Sequence, residues 1–136
     1  MKIGEMKKIT VIGLGIMGPG LAEVFAQAGH QVTGYDMNPA AVGRCRSVIK
    51  AILETMTEFQ LVSPEQANTS LANVSFAGSL EEAVRDADII IEAVSENKEI
   101  KQAIYEEINR FAPQNCLIWS NTSSLNIYEL LPAARI

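Results

Sequence analysis

Three glycines in six positions, Gly13-Leu14-Gly15-Ile16-Met17-Gly18, are the residues whose spacing most clearly carries chemistry. They follow a β-branched, apolar run (residues 8–13) and open a stretch (residues 17–28) with Leu21, Val24, Phe25 and Ala28 at helical spacing. A glycine loop between a strand and a helix is a cradle for a dinucleotide pyrophosphate. Gly13 permits the tight turn off the strand, Gly15 lets phosphate approach the backbone, and Gly18 lets the helix pack close to the sheet. Backbone N–H groups and the helix dipole then hold the phosphates, so no basic side chain is needed. Leu14, Ile16 and Met17 belong to the same binding loop.

Asp36 stands 18 residues beyond Gly18, at the end of a second strand (residues 31–35). A carboxylate there accepts from both hydroxyls of an adenosine ribose and repels a 2′-phosphate. No arginine follows at Met37 or Asn38, so the choice is NAD over NADP. The competing reading makes Asp36 a cap for the helix opened by Pro39. Two further polar segments, Glu92-Ala93-Val94-Ser95-Glu96-Asn97 and Ser120-Asn121-Thr122-Ser123-Ser124-Leu125, each follow an apolar strand. Each alone suits helix capping. Both fall at the carboxyl edge, where open parallel sheets bind their ligands, which brings in Ala93 and Val94.

The elements that must position these residues alternate. Strands are expected at 8–13, 31–35, 74–77, 87–94 and 115–120. Between them run helices at 17–28, from Pro39 to Glu58, from Ser63 to Asn73, at 80–84 and at 97–111, with another starting at Asn126. The long helix offers Val42, Cys45, Val48, Ile49, Ile52, Leu53 and Met56 as a repeating face, and the 97–111 helix offers Ile100, Ala103, Ile104 and Ile108. Such alternation with short loops means a parallel sheet covered on both faces. Trp119 and Cys116 are expected in a buried fifth strand, and Met17, Met37 and Met56 make no metal box.

The 136 residues, 48% of them hydrophobic, suit one compact domain. A net charge of −5 argues against a nucleic-acid partner. The longest apolar run, 87–94, is too short to span a bilayer, and the amino-terminal segment lacks the form of a signal peptide. Cys45 and Cys116 lie 71 residues apart, and His30 is the single histidine, so a zinc site is excluded. Reduced thiols in a cytoplasmic protein are expected.

The glycine loop, the Ile91–Asn97 segment and the Ser120–Leu125 segment, in that order, resemble the amino-terminal domain of the 3-hydroxyacyl-CoA dehydrogenases. The resemblance runs from about Lys8 to Leu131. It implies a Rossmann-type doubly wound parallel sheet with helices on both faces and a helical insert after the second strand. It also implies oxidation of a secondary alcohol with NAD by a two-domain homodimer acting on a small-molecule substrate. Residues matching Glu96, Lys101 and Asn121 lie by the cofactor in that family. Ser123 matches a serine that bonds the substrate hydroxyl beside a catalytic histidine. That histidine and its glutamate partner fall after Ile136, so residues 1–136 are expected to form an NAD-binding domain that is inactive alone, without the helical substrate domain. His30 is a turn residue at the wrong edge. Between Arg44 and Glu65, Arg44, Arg46 and Lys50 are balanced by Glu54, Glu58 and Glu65. That is a poor surface for a phosphate-rich coenzyme A, which leaves room for small hydroxy acids or carnitine-like alcohols. A non-catalytic module sensing NAD or NADH is the reading from another class. Self-association through Ile127–Leu131, which lacks an apolar partner in an isolated domain, is also expected.

Overall fold

A computed structural model describes residue 5 and residues 7–121. The element order is β1 (Lys8–Ile12), α1 (Gly18–Gln27), β2 (Gln31–Tyr35), α2 (Pro39–Glu58), α3 (Pro64–Ala72), β3 (Val74–Phe76), α4 (Leu80–Val84), β4 (Ile89–Glu92), α5 (Lys98–Phe111) and β5 (Leu117–Ser120). The five strands form one parallel sheet in the order β3-β2-β1-β4-β5. This is the expected Rossmann-type doubly wound sheet, with the α2–α3 insert after the second strand. The helix expected from Asn126 and the Ile127–Leu131 segment lie outside the described residues. Among the described residues, no helix is long and apolar enough to cross a membrane.

Alternation along the strands sorts the core into two layers. Ile9, Val11, Val32, Ile89 and Ile91 face α1, α2 and α3. Ile12 and Ile90 face α4 and α5, where Val84, Ile104 and Ile108 meet them. Each such fully buried aliphatic side chain contributes about 1.5–3 kcal/mol relative to exposure. Four of the five helices begin on a side chain that accepts a first-turn N–H: Asn38, Ser63, Ser79 and Asn97. The exception is α1, whose N-cap Met17 makes no side-chain cap.

Several faces differ from the sequence expectation. On α1 the buried residues are Gly18, Pro19, Ala22, Glu23 and Ala26, while Val24 is exposed. The close approach is at Gly18, against the Gly13 carbonyl; beyond it Ala22, Glu23 and Ala26 are buried, and Leu21 and Phe25 pack against the core at its margin. On α2 the buried stripe narrows to Ala41, Cys45, Ile49 and Leu53, leaving Val48 exposed. Burial pushes the Cys45 thiol up to about 11, with Arg46 pulling the other way, so it packs as a small apolar residue. On α5, Lys101 and Tyr105 are buried and Ala103 is exposed. Trp119 is 49% exposed, because β5 is at the edge of the sheet among the described residues, and Cys116, half-buried, precedes that strand; on its α1 side the Trp119 ring meets Phe25.

Glu23 is 4% exposed, and its Oε1 has no hydrogen-bond partner among the described residues. Desolvation raises its pKa above the ordinary carboxyl range. The folded chain therefore holds this proton at pH values where the unfolded chain has lost it, and that contribution to stability disappears as pH rises through the folded value. Urea denaturation of wild type and Glu23→Gln at pH 5 and pH 7 checks this. The variant gains stability relative to wild type at the higher pH; a difference that does not change with pH contradicts the assignment.

Candidate functional site

The strand order reverses at β1, and the crevice opens where β1 and β4 end, as the topology of such sheets dictates. A cavity of about 400 Å³ lies there. Gly13, Gly15, Ile16, Met17, Asp36, Ala93, Val94, Glu96 and Asn121 line it, so nine of the sequence-identified cofactor positions share one wall. Tyr35, Met37, Ile100 and Ile104 complete it with apolar surface, and Met17 and Met37 stand on its rim, 53% and 69% exposed.

The three glycines do different work. Gly13 has φ +96°, and a Cβ on it would lie 2.6 Å from the Ala93 carbonyl and 2.8 Å from the Val94 nitrogen. The constraint on Gly13 is thus the passing backbone of the β4 exit as well as the turn. A Cβ on Gly18 would collide with the Gly13 carbonyl oxygen. Around Gly15 nothing lies within 4 Å of such an atom. That open space, beside a helix start without a side-chain cap, fits a pyrophosphate.

Asp36 is half-buried, and each of its oxygens accepts one backbone N–H: Leu14 donates to Oδ2 and Asn38 to Oδ1, both at 2.8 Å. The Leu14 side chain is in the core. The cap of α2 is Asn38, which accepts from Ala40, so the capping reading of Asp36 does not hold. A carboxylate has about four acceptor sites, so Asp36 can still accept ribose hydroxyls from the cavity side.

Lys101 lies beneath the cavity, its side chain 0% exposed. Its ammonium is 3.2 Å from Glu92 Oε2 and 3.5 Å from Glu96 Oε1, and it donates to the Asn121 carbonyl at 3.4 Å. Glu92 is equally buried and accepts from Tyr105 (2.9 Å), Ser120 (2.8 Å) and the Val94 N–H (3.0 Å). Burial first, and the Glu92 charge second among the raising causes, push the Tyr105 hydroxyl upward, so it serves as a neutral donor. The sequence analysis places Glu92 and Ser120 in the two edge segments without a role for either, and it does not single out Tyr105. The signal was present: a carboxylate closing the apolar run Ile89-Ile90-Ile91, and Lys101, Tyr105 and Ile108 on one helical face. Ser123 lies outside the described residues. His30 sits just before β2, at the opposite edge, where its Nδ1 accepts the Lys7 N–H at 3.1 Å.

Comparison with known proteins agrees with this geometry. A family model described as 3-hydroxyacyl-CoA dehydrogenase, NAD binding domain, matches residues 8–135. L-carnitine dehydrogenase of Oceanobacillus iheyensis is 37% identical over 92% of this chain and 39% of its own length. The 5-formyl-3-hydroxy-2-methylpyridine 4-carboxylate 5-dehydrogenase of Mesorhizobium japonicum is 35% identical over 92% of this chain and 40% of its own. The crystal structure of 3-hydroxybutyryl-CoA dehydrogenase from Escherichia coli aligns with a TM-score of 0.87 at 33% identity, covering 93% of this chain and 26% of that one. The chain spans about two-fifths of the length of the two curated relatives.

Gly15 and Gly18 should separate binding from folding. Gly15→Val keeps the wild-type urea midpoint and loses dinucleotide binding, because its side chain takes the phosphate space. Gly18→Val loses about 1–3 kcal/mol of stability or more from overpacking against Gly13. Urea denaturation and cofactor titration read the two effects, and a folded Gly15→Val with undiminished affinity contradicts the assignment.

Proposed function

The chain belongs to the 3-hydroxyacyl-CoA dehydrogenase family, as its NAD-binding domain, and from that premise we propose that it is the cofactor-holding half of an enzyme that oxidises a secondary alcohol to a ketone. The cofactor is NAD. When bound, it supplies the carbon that accepts the substrate's hydride. The chain's own residues bind and orient it. The observation that carries this reading is the uncapped start of α1 beside the open space at Gly15. There the backbone offers its positive end to a pyrophosphate.

Asp36 in this reading takes the adenosine ribose, between Met37 and Ile100 on the apolar wall. In a doubly wound sheet the second mononucleotide half lies over the later strands, so the nicotinamide is assigned to the ends of β4 and β5, by Val94, Glu96 and Asn121. Lys101 supports that end from below. Ser123 is assigned to the substrate hydroxyl. A general base must come within hydrogen-bond reach of the hydroxyl proton. His30 is at the opposite edge and is not that base, so in this reading the described residues hold and orient NAD and do not take the proton.

A 3-hydroxyacyl-CoA thioester is the first substrate candidate, and a homodimer the first candidate assembly. A second reading, a small hydroxy acid or carnitine-type alcohol, is supported by the α2 surface. From Arg44 on α2 to Glu65 on α3, three basic residues are balanced by three acids, and the Arg46 guanidinium sits 5.0 Å over the Phe76 ring. Full-length protein assayed for NADH formation with 3-hydroxybutyryl-CoA and with L-carnitine separates the two.

Cofactor choice is the direct test of the Asp36 assignment. NAD binds at least about tenfold tighter than NADP, worth about 1.4 kcal/mol. Asp36→Ala weakens NAD and narrows the gap, read by equilibrium titration of both cofactors. Equal affinities in the wild-type chain contradict the assignment.

A further inference from the structure

The nicotinamide half of the pocket stands on a buried pair of opposite charges. Lys101 and Glu92 are each 0% exposed and 3.2 Å apart. The Lys101 ammonium also reaches two lining residues, Glu96 at 3.5 Å and the Asn121 carbonyl at 3.4 Å. One cation therefore braces the loop after β4 and the exit of β5 from below. Glu92 does not line the cavity. It is held in place by Tyr105, Ser120 and the Val94 N–H, so its carboxylate stays on the Lys101 side of the wall.

A lysine in this position carries an electrostatic cost. The nicotinamide ring is a cation when oxidised and neutral when reduced. An ammonium beneath it in a site of low dielectric disfavours the oxidised form. We propose that Glu92 is a positioning residue that cancels the Lys101 charge, so that the ammonium braces Glu96 and Asn121 without turning the pocket against oxidised nicotinamide. This rests on the assignment of the nicotinamide to the ends of β4 and β5. A purely structural staple at the same place has a different signature, because losing it weakens oxidised and reduced cofactor alike.

The test is the ratio of NAD to NADH affinity, measured on the 136-residue chain by equilibrium titration, with NADH followed by fluorescence and NAD by competition. Glu92→Gln keeps the shape of the side chain and leaves the Lys101 charge without its buried counter-ion. The ratio should fall by about fivefold to tenfold in favour of NADH. The double variant Glu92→Gln/Lys101→Met removes both charges. It should restore the ratio to within about twofold of wild type while weakening both forms, since the brace is gone. An unchanged ratio in folded Glu92→Gln overturns the proposal, and so does a shifted ratio that persists in the double variant. Should Glu92→Gln not fold, Lys101→Met at pH 8 decides. It leaves the carboxylate and must move the ratio toward NAD, and an unmoved ratio overturns the proposal. Undiminished affinity for both cofactors in folded Gly15→Val overturns the cofactor placement itself, which keeps that failure distinct from a failure of the Glu92 role.

Discussion

Gly13 is where three lengths of backbone meet too closely for any of them to carry a side chain between them. The end of β1, the start of α1 and the exit of β4 converge on it. Backbone hydrogen bonds fix the convergence: the Gly13 N–H donates to the Tyr35 carbonyl, and the Ala93 N–H to the Ile12 carbonyl. Because of this contact the phosphate cradle and the β4 side of the crevice cannot move apart independently. The need for glycine at Gly18, where α1 starts, follows from the same closeness. So does the crevice, since a helix standing farther off would leave the Gly15 turn aimed elsewhere. The Asp36 carboxylate ties the loop to the end of β2 through the Leu14 N–H, which brings the position proposed for the ribose into the same unit.

The second half of the pocket is built by different means. There the wall is set by side chains, with Glu92 and Lys101 at its centre. Burying two charges is expensive, and such a pair is poor evidence of stability in itself. Leaving either charge buried alone costs about 3–5 kcal/mol, which makes the pair an all-or-none feature of the folded state. Its geometry accounts for that cost: Tyr105, Ser120 and a backbone N–H saturate the carboxylate, and the ammonium reaches the two loops a nicotinamide would touch. The backbone-built half of the crevice, proposed for the pyrophosphate, and the side-chain-built half, proposed for the nicotinamide, meet at Ala93 and Val94.

Much of this was legible in the sequence because the relevant rules are local. The glycine spacing, the strand–helix alternation and the carboxylate at Asp36 are patterns within a few residues of one another. The expected runs at 87–94 and 115–120 are longer than β4 and β5, because Ala87, Ala93, Val94 and Cys116 extend the apolar pattern past the residues paired in register. Where reading failed, the deciding contact came from a distant element. The face of α1 turned on how the helix lies against the sheet, which no helical periodicity contains. Lys101 is placed near the cofactor only by the family resemblance, and nothing local marks Tyr105, because the partner that lets both be buried, Glu92, sits on another element. Trp119 reads as core by residue type, yet β5 is at the edge among the described residues, and edge position is a property of strand order rather than of the strand.

One crevice, from Asp36 across the glycine loop to Asn121, is proposed to hold the whole dinucleotide. Amide chemical-shift mapping during titration with NAD tests it most directly. Large, saturable shifts are expected at Gly15, Ile16, Met37, Val94 and Asn121, with Gln66 and Thr69 on α3 unmoved. Shifts concentrated around α3 or at the amino edge of the sheet, with the glycine loop silent, would contradict it.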